Sequence, residues 1–305
     1  MAIILITGGT GLIGKALGKA LLEKGHQVII LTRNTGKTSS DGAGASYAKW
    51  DIEKQEIDKE AISTADHIIH LAGAGIGDKR WTRKRKQEII ASRVNSSSFI
   101  VNCLKTIPNK IKTVVCASAI GWYGPDPDTG SSFKETDPPA TDFLGDTCRQ
   151  WEESITPVIA LGKRLVILRT GIVLSGEGGA LKEFVRPLKF GLAAILGKGR
   201  QITSWIHIDD LVNMYISAIG ENKMKAVYNA VAPEPVSNKK LVLTLARSRK
   251  KFFIPVHVPS FILKLVLGEM STEVLKSATV SSQKIRDTGF DFSYPLIEKA
   301  LAGIN

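Results

Sequence analysis

The chain has 305 residues, 43% hydrophobic and 23% charged, with a formal net charge of +12. Such a composition supports a full globular core; no segment is polar or repetitive enough for long disorder, and no internal repeat of solenoid length is present. The positive balance favours anionic partners without naming one, no stretch reaches the roughly 20 apolar residues of a membrane span, and three cysteines (Cys103, Cys116, Cys148) at spacings that suit no zinc site read as reduced and buried.

Residues 1–6 are apolar but lack a basic leader and run straight into a glycine turn, so no signal peptide is expected. Residues 2–7 read as a short buried strand. Residues 12–24 carry Leu12, Ala16, Leu17, Ala20 and Leu21 at helical spacing and stop at Gly25; residues 27–32 are a second apolar strand. Strand, turn, helix and strand in this order open a parallel α/β sheet. The alternation continues with a short strand at 46–50, a helix at 53–64, a strand at 66–71 and a long helix at 82–104. A strand at 112–117 follows, then a loop rich in Gly, Pro, Asp and Thr at 121–141, a mainly helical stretch at 142–161 and a strand at 164–169. The expectation is a doubly wound parallel sheet, a Rossmann core, over residues 1–171.

Beyond Gly171 the pattern loosens. Glycine-rich pieces at 176–179 and 197–199 alternate with short helices, a helix spans 208–219 and a short strand 227–229. Helices at 260–267, 271–277, 282–288 and 295–301 dominate the end. Residues 172–305 are therefore expected to form a smaller, mainly helical substrate-side lobe, some segments of which return to the core. The apolar run Phe261-Ile262-Leu263-Lys264-Leu265-Val266-Leu267 is read as a buried helix and not a membrane-surface one, because it is short and bears one charge.

The turn Thr7-Gly8-Gly9-Thr10-Gly11-Leu12-Ile13-Gly14 sits between strand and helix, as a dinucleotide fingerprint must. Gly8 permits the tight turn, Gly11 lets the backbone approach a pyrophosphate, and Gly14 lets helix and strand pack closely. The pyrophosphate then faces free N–H groups at the positive end of the helix. Thr7, Gly8, Thr10, Gly11, Leu12, Ile13 and Gly14 are the expected cofactor contacts here. The second strand ends Leu31-Thr32-Arg33-Asn34. An NAD site carries an acidic residue at this place; Arg33 instead offers a guanidinium suited to the 2′-phosphate of NADP(H), with Lys37 as a helper and a plain surface arginine as the alternative. Asp51, after Trp50, is placed to accept a hydrogen bond from the adenine amine.

The run Lys79-Arg80-Trp81-Thr82-Arg83-Lys84-Arg85-Lys86 is either a solvated helix face or an anion site. An aromatic beside arginines suits a planar or phosphorylated ligand, which makes Lys79, Arg80 and Trp81, together with Arg93, candidates for substrate contact. Trp205 and His207 are read as packed residues, and Asp209 and Asp210 as the cap and first-turn charge of the helix that follows. No RNA or DNA motif accompanies the positive charge, so no nucleic-acid partner is expected.

These pieces together resemble the extended and atypical short-chain dehydrogenase/reductases. His70-Leu71-Ala72-Gly73 is similar to their fourth-strand motif and Ser118-Ala119-Ile120-Gly121-Trp122-Tyr123-Gly124 to their fifth-strand serine segment. Leu168-Arg169-Thr170-Gly171 and Trp205-Ile206-His207-Ile208-Asp209-Asp210 resemble later landmarks. More narrowly, Gly75-Ile76-Gly77-Asp78-Lys79-Arg80-Trp81-Thr82, Ala91-Ser92-Arg93-Val94, Gly178-Gly179-Ala180-Leu181 and Leu267-Gly268-Glu269-Met270 resemble the NAD-dependent epimerase/dehydratase-like family with an extra C-terminal conserved region. The resemblance implies NADP(H) as cofactor, with Leu71, Ala72, Gly73 and Ser118 as further contacts; it delivers no substrate, and a small polar or nucleotide-linked one is the expectation for an enzyme with this site.

The resemblance also implies a tyrosine followed four residues later by a lysine, the tyrosine as acid/base and the lysine lowering its pKa. Here Tyr47, Tyr123, Tyr215, Tyr228 and Tyr294 are followed by Asp51, Pro127, Ile219, Ala232 and Glu298. Anchored on Trp151-Glu152, the two positions fall on Leu144 and Cys148, a side chain without a proton and one without a cation. Ser118 remains as a catalytic candidate, Tyr123 is the nearest replacement acid, and Cys148 is a reactive-thiol candidate. Two functions follow: an NADP(H)-dependent oxidoreductase or epimerase, with Ser118 polarising a carbonyl or hydroxyl, or alternatively a non-catalytic NADP(H)-binding redox sensor or binding module. A cytoplasmic monomer or homodimer, without metal and without a membrane partner, is expected.

Overall fold

Strand and helix alternate through the first half of the chain: β1 (Ile3–Thr7), α1 (Leu12–Glu23), β2 (Gln27–Thr32), β3 (Ser46–Asp51), β4 (Glu56–Ile57), α2 (Lys59–Thr64), β5 (His67–His70), α3 (Arg83–Thr106), β6 (Thr113–Ala119), α4 (Phe143–Ile155) and β7 (Arg164–Thr170). The second half adds β8 (Ile172–Leu174), α5 (Ala180–Leu188), β9 (Leu192–Leu196), β10 (Ile202–Thr203), β11 (Trp205–His207), α6 (Ile208–Gly220), β12 (Ala226–Ala230), β13 (Val236–Ser237), α7 (Asn238–Ser248), β14 (Ile254–Val258), α8 (Ser260–Leu267), α9 (Ser271–Leu275), α10 (Gln283–Arg286) and α11 (Ile297–Ala302). The computed structural model describes residues 1–35, 44–127, 130–220 and 223–304.

The main sheet has the order β12-β7-β6-β5-β1-β2-β3-β4 and is parallel except where β4 turns back on β3. Its strands are near-continuous apolar runs because both faces are covered. In β1, Ile4 and Ile6 point to one face and pack with Leu17 and Leu21 of α1 and Leu211 and Tyr215 of α6. Leu5 points to the other, with Phe99 and Ile100 of α3 and Trp151 and Ile155 of α4. The chain winds outward from β1 through β2 and β3, then crosses to β5 on the other side of β1. The strand order therefore reverses between β1 and β5, and the crevice beyond their carboxyl ends is the ligand position in open α/β sheets.

The Rossmann sheet matches the expectation; several local readings need correction. Residues 53–64 are a hairpin and then a helix: β4 pairs with β3, and α2 starts only after Asp58, whose carboxylate accepts from the N–H of Glu60 and Ala61. Beyond Gly171, three two-stranded pairs (β8–β11, β10–β13, β9–β14) stand where loops and short helices are expected. Leu192–Leu196 is a short apolar run between Gly191 and Gly197, both at positive φ, and periodicity alone cannot tell such a run from a buried helix. The unexpected α7 is capped by Ser237, which accepts from the Lys240 N–H. A separate core of Leu181, Ile195, Trp205, Leu245 and Leu301 holds this lobe together, while β12 returns to the main sheet beside β7.

Helix α8 overturns the buried reading of residues 261–267. Leu263 is its one buried residue, and Phe261 and Leu265 are 71% and 75% exposed. Among the described residues, no helix is long and apolar enough to cross a membrane.

Candidate functional site

The turn after β1 is shaped by close approach. Gly8 has φ +67°, and a Cβ there would stand 2.9 Å from the Leu71 carbonyl carbon and oxygen. A Cβ on Gly14 would lie 2.4 Å from the Gly8 carbonyl oxygen, so both positions admit only glycine. Gly11 precedes α1 without a side-chain cap, and the first turn of α1 holds no acidic residue. The helix thus presents bare N–H groups and its positive end to the crevice. Thr10 and Gly11 are exposed and Leu12 and Ile13 half-buried. The loop before α5 rests on this turn, since a Cβ on Gly179 would meet Leu12 Cδ2 at 3.1 Å.

Thr7 works from below. It is buried, and its Oγ1 accepts from the N–H of Leu71 (3.1 Å) and Ala72 (3.2 Å). With both lone pairs engaged, its hydroxyl donates to His70 Nδ1 at 2.7 Å. His70 then carries its proton on Nε2, facing Ser97 Oγ (3.1 Å) and Ser96 Oγ (3.2 Å). The imidazole stacks on Trp50, and complete burial pushes its pKa down to about 3. Thr7 and His70 therefore fix the segment Leu71, Ala72 and Gly73 beside the glycine turn; of these three, Leu71 and Ala72 are half-buried and Gly73 is exposed.

At the other end of the crevice, Arg33 follows β2, is exposed, and forms no ion pair among the described residues. Lys37 lies outside the described residues. Asp51 closes β3, and its Oδ1 accepts from the N–H of Glu53 and Lys54, both at 3.1 Å, which shapes the turn into β4.

The catalytic candidates Ser118 and Tyr123 are both buried and turned inward. Ser118 Oγ donates to Glu152 Oε1 at 2.6 Å. The same carboxylate takes Arg169 at both oxygens, Nε to Oε1 at 2.8 Å and Nη2 to Oε2 at 2.9 Å. Arg169 Nη1 donates to Tyr123 Oη at 3.0 Å, its guanidinium lies 3.6 Å over the Trp122 ring, and Tyr123 Oη donates to Asn229 Oδ1 at 2.7 Å. Glu152 and Arg169 are only 7% and 2% exposed. One buried network thus joins β6, α4, β7, the 121–141 loop and β12. Burial pushes the Tyr123 phenol up to about 12 despite Arg169 beside it. The phenol is thus enclosed, and the serine hydroxyl is engaged by Glu152.

The reactive-thiol candidate is closed as well. Cys148 is buried with Sγ 3.6 Å from the Ala119 carbonyl oxygen, and burial, reinforced by Glu152, pushes its pKa up to about 12; a thiol so protonated is inert. Leu144 and Cys148 face Gly121, where a Cβ would stand 3.1 Å from Leu144 Cβ and 3.6 Å from Cys148 Sγ.

The four substrate candidates separate. Lys79 and Arg80 are exposed, and Arg80 packs on the backbone of Gly268. Trp81 is buried, donates Nε1 to the Ile76 carbonyl at 3.0 Å and meets Phe143 edge-on, which makes it a loop anchor and not a ligand platform. Arg93 is buried, donates to the carbonyls of Ala74 and Ile89, both at 3.0 Å, and lies 4.9 Å over Trp151. Its Cζ would be 3.2 Å from a Cβ on Gly73, so it is a buried cation immediately behind the fourth-strand motif. The rest of the basic run is divided: Arg83 and Lys84 are exposed, Arg85 donates to the Gly75 carbonyl and Lys86 pairs with Glu269.

Glu152 and Arg169 form a buried pair that no motif announces, and Asp210 does more than charge a helix turn. Asp210 stands in the first turn of α6 as expected, is fully buried and accepts from the N–H of Ser293 (2.8 Å) and Tyr294 (3.0 Å), and burial raises its pKa. His207 beside it is packed as expected, stacked 3.8 Å from Tyr294. The signal was a charge inside an apolar segment, as in Leu165-Val166-Ile167-Leu168-Arg169. The C-terminal segment also grips the site. Lys276 reaches Asp142 (3.3 Å) and Glu273 (2.7 Å), and Thr279 donates its N–H and hydroxyl to Asp126.

Comparison with known proteins covers the whole chain. Residues 4–230 match the model of the NAD dependent epimerase/dehydratase family, and residues 258–304 match a domain of unknown function, DUF1731. The epimerase family protein SSP1921 of Staphylococcus saprophyticus is 39% identical over 300 residues, 97% of each chain. The epimerase family protein YfhF of Bacillus subtilis is 36% identical over 303 residues, 98% of this chain and 96% of that one. The crystal structure of human epimerase family protein SDR39U1 (isoform 2) with NADPH superposes with a TM-score of 0.86 at 28% identity, covering 99% of this chain and 98% of that one.

Proposed function

The chain belongs to the NAD dependent epimerase/dehydratase family, and from that premise we propose that it is an NADP(H)-binding oxidoreductase or epimerase-like enzyme for a small polar or nucleotide-linked substrate. The observation that carries this is the bare positive end of α1 above Gly8 and Gly14, with exposed Arg33 at the end of the neighbouring strand. The human relative crystallised with NADPH supports the phosphorylated cofactor. Gly8, Thr10, Gly11, Leu12 and Ile13 would hold the pyrophosphate, Arg33 the 2′-phosphate, and Leu71, Ala72 and Gly73 the nicotinamide side. Bound, the cofactor supplies or accepts a hydride. The chain's part is to orient it, with buried Arg93 placing positive charge behind Gly73.

The enclosure of Ser118, Tyr123 and Cys148 favours a second reading, a binding module that holds NADP(H) without turnover. One pair of measurements addresses both. Calorimetric titration is expected to show NADPH bound more tightly than NADH, and Arg33→Asp to weaken NADPH by roughly 10- to 150-fold, the value of one charged hydrogen-bonding partner. A variant that keeps the preference for NADPH removes the Arg33 assignment. Transfer of deuterium from labelled NADPH to any member of a broad carbonyl and sugar-nucleotide panel supports the enzyme; tight binding without transfer supports the module.

A further inference from the structure

Among the described residues, nine of the twelve large hydrophobic side chains left exposed come from two short segments, residues 190–192 and 252–266. Strands β9 and β14 pair in parallel with Leu192 opposite Ile254 and Ala194 opposite Val256. Side chains alternate along a strand, so Leu192, Ile254 and Val256 share the outer face. Phe190 and Phe252 continue the same two-residue period and are 80% and 84% exposed. Pro259 alone separates β14 from α8, where Phe261 and Leu265 stand four residues apart on one helix face. Patches of this kind on a soluble fold mark an interaction surface.

The two segments that carry these side chains are themselves positive. Residues 188–200 contain Lys189, Lys198 and Arg200; residues 244–267 contain Arg247, Arg249, Lys250, Lys251 and Lys264; neither stretch contains an aspartate or a glutamate. Lys189 and Arg249 also line a cavity of about 290 Å³ together with Lys182, Arg186 and Glu177, Arg186 being paired with Glu183 at 3.1 Å. Arg249 Nε is buried there without a hydrogen-bond partner.

We propose that this face docks on an anionic phospholipid bilayer. Phe190, Phe252 and Phe261, with the exposed aliphatic side chains of β9, β14 and α8, enter the boundary between headgroups and acyl chains, and the surrounding cations meet lipid phosphates, the cavity beside Lys189 admitting one of them. Charge decides against a second copy of the chain as occupant. A two-fold dimer presses the same patch against itself, so it would bring one set of cations against the other, whereas an anionic bilayer neutralises them. The proposal departs from the expectation that no membrane is a partner, and it needs no spanning helix.

The test is sedimentation of the full-length protein with vesicles, phosphatidylcholine alone against phosphatidylcholine containing phosphatidylglycerol. Binding is expected at least about tenfold stronger on the anionic vesicles and weaker in raised salt. Each cation near such a surface is worth roughly a factor of five, so Lys250→Glu with Lys251→Glu is expected to lower binding at least about tenfold. Phe261→Asp with Leu265→Asp is expected to abolish it. All four side chains are exposed, and an unchanged circular dichroism melt shows that these variants fold. Failure to sediment with anionic vesicles, or equal binding to neutral ones, overturns the proposal. So does a dimer in velocity sedimentation that Phe261→Asp dissociates while vesicles are ignored. None of these outcomes depends on which nicotinamide cofactor is bound.

Discussion

His70 illustrates how one side chain couples the site to the stability of the whole. In the fold its pKa lies near 3 because the ring is fully buried and can be held only as the neutral tautomer; in the unfolded chain it returns to about 6.5. Between these values the unfolded chain binds a proton that the folded one refuses. Stability from this group is therefore present above pH 6.5 and is lost as the pH falls toward 3, by up to about 1.4 kcal/mol per pH unit. His67 and His207, both lowered by burial, act with the same sign. Urea midpoints between pH 7 and pH 5 are expected to fall less steeply for His70→Asn than for the parent chain; parallel slopes would contradict the assignment. At this scale the glycine turn was legible from its strand–turn–helix setting: Gly14 is dictated by the Gly8 carbonyl six residues away, whereas the Leu71 carbonyl that crowds Gly8 lies far off in sequence. The fate of Ser118 and Tyr123 was not legible, because Glu152, Arg169 and Asn229, which claim their hydroxyls, are distant in sequence.

Elements meet at the Glu152–Arg169 pair, which fastens α4 to β7. Neutralising one member strands the other as a buried charge, which typically costs about 3–5 kcal/mol. Glu152→Gln, nearly identical in shape, is expected to lose that much in urea denaturation; a loss below about 1 kcal/mol would mean that the pair is better solvated than its burial implies. The helices and strands of the first half could be read because apolar period and glycine punctuation agree there. After Gly171 they conflict. Leu192–Leu196 is a strand whose sequence lacks alternation, and residues 261–267 are so apolar that burial was the natural expectation, yet α8 leaves most of that surface outside.

For the molecule as a whole, the segment 268–281 acts as a clasp over the crevice loops. Asp126 and Phe133 donate their N–H groups to the carbonyls of Ser277 and Thr279, and Lys276 ties the clasp to the cap of α4 at Asp142. Lys276→Ala is expected to speed hydrogen exchange at the amides of Asp126 and Phe133 while leaving those of β1 and β5 unchanged; equal acceleration in β1 would mean that the clasp is not a separate unit.

The return of β12 to the main sheet also sets the order of events on the ribosome. Until β12 arrives, β7 is an open parallel edge, and Tyr123 lacks the Asn229 acceptor that completes its network. At 5–20 residues per second the interval between β7 and β12 is roughly 3–11 s. For that time the nascent chain carries an unpaired apolar strand and a sheet face without α6, the state in which edge-to-edge association competes with folding.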